Sequence, residues 1–149
     1  MGNHRATEDA EDAESGLTGR VIGAAITVHR KLGPGLLESI YAQCLELELA
    51  KSGLRFDSEV LVPVRYDGVS LRARFRLDLL VEETLIVELK TVPEILPLHK
   101  AQLLTYLRVT GHPLGLLINF NVDYLVRGVR RLVNRPSATS EPSAALWLP

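Results

Sequence analysis

The chain of 149 residues is poor in cysteine, tryptophan and methionine, with one of each, and aromatic residues make up only 5%. A single cysteine, Cys44, excludes an internal disulfide and any multi-cysteine metal site. Its setting, AQCLELEL, reads as helix, where a small thiol packs as an apolar group rather than acting as a nucleophile. No apolar run approaches the roughly 20 residues that a membrane-spanning helix needs. The polar start, MGNHRATEDAEDAES, lacks the basic and apolar regions of a secretory signal, so a cytoplasmic protein with no membrane partner is expected. Charge of one sign is also missing, since the formal net charge is −1.

That near-neutrality hides an asymmetry. Residues 1–16 hold Arg5 against five acids, whereas residues 17–135 hold 16 Lys/Arg against 12 Asp/Glu. A mildly basic body with an acidic N-terminal tail suits an anionic partner, although a solvated, charge-mixed surface has the same composition. The tail could lie over the basic face as a nucleic-acid mimic, or serve only solubility.

Residues 1–16 lack apolar periodicity and are expected to be disordered, followed by one domain over 17–133 and a flexible Pro/Ser/Thr/Ala tail over 134–149 in which Trp147 could dock. Thr18 is placed to cap a first helix carrying Val21, Ile22, Ala25, Ile26 and Val28 on one stripe. Gly33-Pro34-Gly35 breaks it. A second helix runs from about Leu36 to Ser52, with Leu37, Ile40, Tyr41, Cys44, Leu45 and Leu49 inward and Gly53 as its C-terminal cap. The period then falls to two. Three antiparallel strands are expected at 56–66, 69–81 and 85–92, with Asp67-Gly68 as a hairpin turn. A helix ending at Gly111, a doubly buried strand in PLGLLINF and a last strand or basic edge in YLVRGVRRLV complete the order. The alternation predicts a mixed α/β fold, a sheet flanked by helices.

Within FRLDLLVEETLIVELKTV, three charged residues interrupt segments suited to burial: Asp78, Glu88 and Lys90. Such groups cost several kcal/mol there unless compensated. If Glu82-Glu83-Thr84 is a three-residue loop, Asp78 lies opposite Glu88 with Cβ atoms about 4.5–5.5 Å apart, and Lys90 shares that face. A two-residue loop would move the opposite position off Glu88. Two such carboxylates repel unless a cation or a proton separates them. Oxygen ligands suit Mg²⁺ or Mn²⁺, with positions left for water and a substrate phosphate, and Lys90 could stabilise a phosphoryl oxyanion. By the same parity Arg72, Arg74 and Arg76 join the Asp78 face, as a phosphodiester substrate would require, with Phe75, Leu77, Leu79 and Val81 turned into the core. A wet, salt-bridged sheet face would look the same. On the helices, Gln102 and Tyr106 are one turn apart, His99 precedes Gln102, and Glu38 precedes Tyr41.

Asp78 followed by Glu88-Leu89-Lys90 resembles the PD-(D/E)XK nuclease signature on adjacent strands, and Gln102-x-x-x-Tyr106 resembles the Q-x-x-x-Y element of its exonuclease-like branch. The stretches IGAAITVHRKLGPGLLESIYAQCLELEL, ELKTV, HKAQLLTYL and GLLINF are similar to the bacterial GxxExxxY proteins, a subgroup of that superfamily, over about residues 18–133. The resemblance implies a restriction-endonuclease-like α-β-β-β-α-β core and a Mg²⁺- or Mn²⁺-dependent nuclease cutting nucleic acid, DNA ahead of RNA, with a homodimer left open. It implies Asp78, Glu88 and Glu38 as metal ligands, Lys90 as the catalytic lysine, and Gln102 and Tyr106 in the site; Arg72, Arg74 and Arg76, from strand parity, and His99, from its place before Gln102, are expected on nucleic acid. Two departures stand out. Leu77 replaces the proline before Asp78, and Gly35, Glu38 and Tyr41 are spaced one residue shorter than the GxxExxxY label. The alternative is a non-catalytic module that binds nucleic acid or protein on the same fold.

Overall fold

A computed structural model describes residues 2–134, with side chains from Ala13 onward. The element order is α1 (Gly2–Leu32), α2 (Glu38–Lys51), β1 (Phe56–Tyr66), β2 (Val69–Val81), β3 (Leu85–Lys90), α3 (Pro97–Thr110), β4 (Leu114–Asn119), a 3-10 turn (Leu125–Gly128) and β5 (Val129–Val133). The sheet order is β1-β2-β3-β4-β5, antiparallel except for the β3–β4 pair. Helices α1 and α2 cover one face around Val21, Val28, Leu45, Leu49, Val87 and Ile118, and α3 covers the other around Leu103, Tyr106, Leu107 and Leu117. Burial of β4 on both faces follows from this three-layer arrangement. The mixed α/β class with a helix-flanked sheet is as expected.

Several expectations are corrected. The N-terminal segment expected to be disordered is part of α1 from Gly2, because alanines and glutamates in ATEDAEDAES are strong helix formers. Thr18 is therefore not a cap. It lies within the helix, buried, with Oγ1 donating to the Glu14 carbonyl at 2.9 Å. In α2, Tyr41, Leu45 and Leu49 are buried, but Leu37 precedes the first turn and is 70% exposed, and Ile40 is also exposed. The tail beyond residue 134, with Trp147, lies outside the described residues.

The β2–β3 register, with Leu79 opposite Val87 and Val81 opposite Leu85, is the one that a three-residue loop sets. Only three rungs form, so β1 and β2 continue past β3 as a two-stranded arm. The β1–β2 ladder shifts register between Pro63 and Arg65 and, nearer the site, lacks the rung of Glu59 opposite Asp78, where Glu59 adopts a left-handed backbone with φ of 51°. The faces exchange across this break. Phe56, Leu79 and Val81 pack with α1 and α2, whereas Val60, Val62, Phe75 and Leu77 pack with α3. Strict alternation had put Phe75, Leu77, Leu79 and Val81 on one face. The irregular rung divides them between two cores.

Candidate active site

Glu38 is delivered by the loop before α2. Gly33 and Gly35 take positive φ (72° and 97°), which glycine adopts without a Cβ clash. The Tyr41 hydroxyl donates to the Gly33 carbonyl at 2.6 Å and accepts from the Leu36 N–H at 3.1 Å, pinning that loop. Its ring stacks on Phe120 with centroids 4.4 Å apart, and the Phe120 N–H donates to the Lys90 carbonyl at 2.9 Å. Glu38 and Lys90 are thereby held by one continuous set of contacts.

Asp78 sits where β3 parts from β2. Its Oδ2 accepts from the Leu89 N–H at 2.8 Å, and its Oδ1 is 3.8 Å from Arg76 Nη2. Glu88 is only 7% exposed, and its Oε1 has no hydrogen-bond partner. Burial, then hydrogen bonding with the Asp78 carboxyl, then the Asp78 charge, push the Glu88 carboxyl up to about 10, against the opposing charge of Lys90. Near neutral pH Glu88 therefore keeps its proton. Glu38 is raised by burial first and by Asp78 second, with Lys90 and Arg76 opposing. Tyr106, packed on Phe75 with centroids 5.0 Å apart, is raised by burial and then by Glu88 and Asp78, so it lies in reach of the acidic pair from the α3 side.

A cleft of about 590 Å³ opens beside Asp78, lined among others by Glu38, Glu46, Glu59 and Arg76. Arg72 and Arg74 lie exposed along the arm and do not line this cleft, whereas Arg76 does. Gln102 is exposed one turn before Tyr106. His99 turns back on its own helix, where Nδ1 accepts the Leu96 N–H at 2.9 Å, so its ring caps α3. The expected grouping of three acids is not assembled. Among the described residues no three His, Cys, Asp or Glu side chains form a group able to hold a metal ion. Asp78 and Glu88 pair, with Asp78 also engaged by Leu89 and Arg76, while Glu38 lines the same cleft as Asp78 from α2.

Sequence reading missed two residues here. Glu59, in the cleft opposite Asp78, leaves no local signal in an alternating strand. Asn119 is buried at the end of β4, its Oδ1 accepting from the Val92 and Asn121 N–H groups and its Nδ2 donating to the Val92 carbonyl. It fastens the chain that leaves β3 after Lys90. A polar residue closing the apolar run GLLIN was the available signal.

Among solved structures the chain is similar to the crystal structure of SSO0001, at 21% identity with a TM-score of 0.51, over 74% of this chain and 58% of that one. It thus spans less than two thirds of that structure's length, and the likeness bears on fold alone. No curated protein matches. The sequence matches the PD-(D/E)XK nuclease superfamily over residues 15–132. With a helix-flanked mixed sheet, and Asp78 and Glu88-Leu89-Lys90 on its adjacent strands, this match means that the chain belongs to the PD-(D/E)XK nuclease superfamily.

Proposed function

We propose that the protein is a Mg²⁺- or Mn²⁺-dependent nuclease that hydrolyses phosphodiester bonds in nucleic acid, DNA ahead of RNA. The observation that carries this reading is the Asp78–Glu88 pair: a buried carboxyl with an unpartnered oxygen against a second carboxyl at a polar cleft. An oxygen-only donor set of this kind fits a small hard divalent ion. Asp78 and Glu88 would hold it, with Glu38 completing the site from α2. When bound, such an ion supplies Lewis acidity to a phosphoryl oxygen and to the attacking water.

The chain's own residues do the rest. The Lys90 ammonium donates to the phosphoryl oxygen or to the water and opposes the charge that builds up during in-line attack. Tyr106, in reach of the pair, positions the carboxyl groups from below, and Gln102 faces solvent beside it. Arg76 at the cleft and Arg74 and Arg72 further along the arm bind successive phosphates of the approaching strand. His99 contributes by fixing the start of α3. Gly35, Glu38 and Tyr41 act as one unit, with Tyr41 locking the glycine loop that presents Glu38, and this supports the bacterial GxxExxxY subgroup. No helix among the described residues is long and apolar enough to cross a membrane, and a cytoplasmic setting is part of the reading.

The test is a cleavage assay on single-stranded and duplex DNA and RNA with Mg²⁺ or Mn²⁺. Asp78→Ala and Lys90→Ala are expected to abolish cleavage while circular dichroism stays that of the wild type. Undiminished cleavage by either variant sinks the assignment. Tight binding by the wild type with no turnover in either ion points to the non-catalytic module.

A further inference from the structure

Arg76 lines the cleft among four acids: Glu38, Glu46, Glu59 and Asp78. Its Nη1 is 3.4 Å from Glu59 Oε1 and its Nη2 is 3.8 Å from Asp78 Oδ1, so one guanidinium faces two carboxylates. Asp78 has a second, structural partner in the Leu89 N–H, whereas Glu59 has no comparable tie to the fold. Glu59 is also the residue of the missing β1–β2 rung, held in a left-handed backbone that a non-glycine residue rarely adopts. Strained backbone of this kind persists where surrounding structure imposes it, and it gathers at functional sites. Here it sets a carboxylate on the cation of the cleft. Both side chains are largely solvent-exposed, and an ion pair between such groups is weak and exchanges readily. A guanidinium fork offers the same planar set of donors to a carboxylate as to a phosphate.

We infer that Glu59 is an internal competitor for the substrate phosphate at Arg76: its carboxylate occupies the guanidinium until a phosphodiester displaces it. The inference rests on the nuclease reading and adds a specific device to it. Entry of a nucleic-acid strand exchanges one anion for another on Arg76, so the cleft's cation is never left to collapse fully onto Asp78.

The experiment is a double-mutant cycle read by fluorescence anisotropy with short labelled single-stranded and duplex DNA, at low salt and in EDTA so that no turnover occurs. The proteins are the wild type, Glu59→Gln, Arg76→Gln and the double variant. Glu46→Gln serves as the control for loss of a cleft carboxylate, since the Glu46 side chain accepts from Ser58 Oγ at 2.6 Å. Glu59→Gln is expected to tighten binding about 3- to 5-fold, the upper range for release of an exposed ion pair. Arg76→Gln should weaken binding about tenfold, as for loss of a hydrogen bond to a charged group. In the Arg76→Gln background the Glu59 substitution should add no more than the Glu46→Gln control does. A gain from Glu59→Gln that is absent in the wild-type background, or that survives undiminished without Arg76, overturns the inference. Failure of all the proteins both to bind DNA in EDTA and to cleave it with Mn²⁺ removes the nuclease reading beneath it, whereas cleavage without the Glu59-dependent gain overturns the inference alone, so the two failures are distinguishable.

Discussion

Replacing Glu88 by Gln should make the metal-free protein more stable, and increasingly so as the pH rises. The folded protein holds this carboxyl near 10, whereas an unfolded chain holds it near 4.5. Between those values the folded state keeps a proton that the unfolded state releases, so stability falls with rising pH. Its contribution is fully present below pH 4.5 and is lost progressively up to about 10. Each pH unit inside that window is worth up to about 1.4 kcal/mol. From pH 6 to pH 8 the loss approaches about 3 kcal/mol, which for a domain of this size is roughly 10 °C in melting temperature. Glu38 adds to the slope with the same sign, since its carboxyl is also raised, chiefly by burial. Gln keeps the shape and hydrogen-bonding capacity of protonated Glu88 but cannot ionise. The assay is urea denaturation of wild type and Glu88→Gln at pH 6, 7 and 8 in EDTA. The gap between the two should widen steadily in favour of the variant. Parallel stability curves would refute the reasoning, because they would mean that Glu88 ionises in the folded protein as it does in the unfolded chain.

Other perturbations follow from the same contacts. Tyr41→Phe removes the hydroxyl that ties Gly33 to Leu36, and should cost about 1–3 kcal/mol in chemical denaturation with the helical dichroism intact. Gly128→Ala sets a Cβ 2.1 Å from the Asn119 carbonyl oxygen, so backbone must shift; a loss of at least about 1–3 kcal/mol is expected from thermal melts. Asn119→Ala leaves the Val92 and Asn121 backbone groups without their partner. It should destabilise by about 1–3 kcal/mol and speed amide exchange at Val92.

Much of this architecture was legible in the sequence because local signals and burial agreed. Period-two alternation and the Asp67-Gly68 turn set the limits of β1 and β2, and the three-residue loop Glu82-Glu83-Thr84 set the register that brings Asp78 beside Glu88. Gly53 and Gly111 mark the ends of α2 and α3 through positive φ. The misses share a physical origin in tertiary context. Periodicity cannot register a missing rung, so the face exchange at Glu59 and Asp78 was invisible, and with it the contact between Arg76 and Glu59. Low hydrophobicity in ATEDAEDAES read as disorder, although helix propensity prevails there. The place of His99 before Gln102 reads as a nucleic-acid contact and does not reveal that its Nδ1 caps the exposed start of α3.

The central claim, that Asp78 and Glu88 share a divalent ion, is tested most directly by calorimetric titration of Mn²⁺ into the wild type and into an Asp78→Asn/Glu88→Gln double variant. The titrations are run near pH 7.5 in buffers of different ionisation enthalpy. The ion must displace the proton that Glu88 holds, so the wild type is predicted to bind Mn²⁺ with release of close to one proton per ion, and the double variant to show neither. Equal binding by the two proteins, or wild-type binding with no proton released, would contradict a site built on these two carboxyl groups.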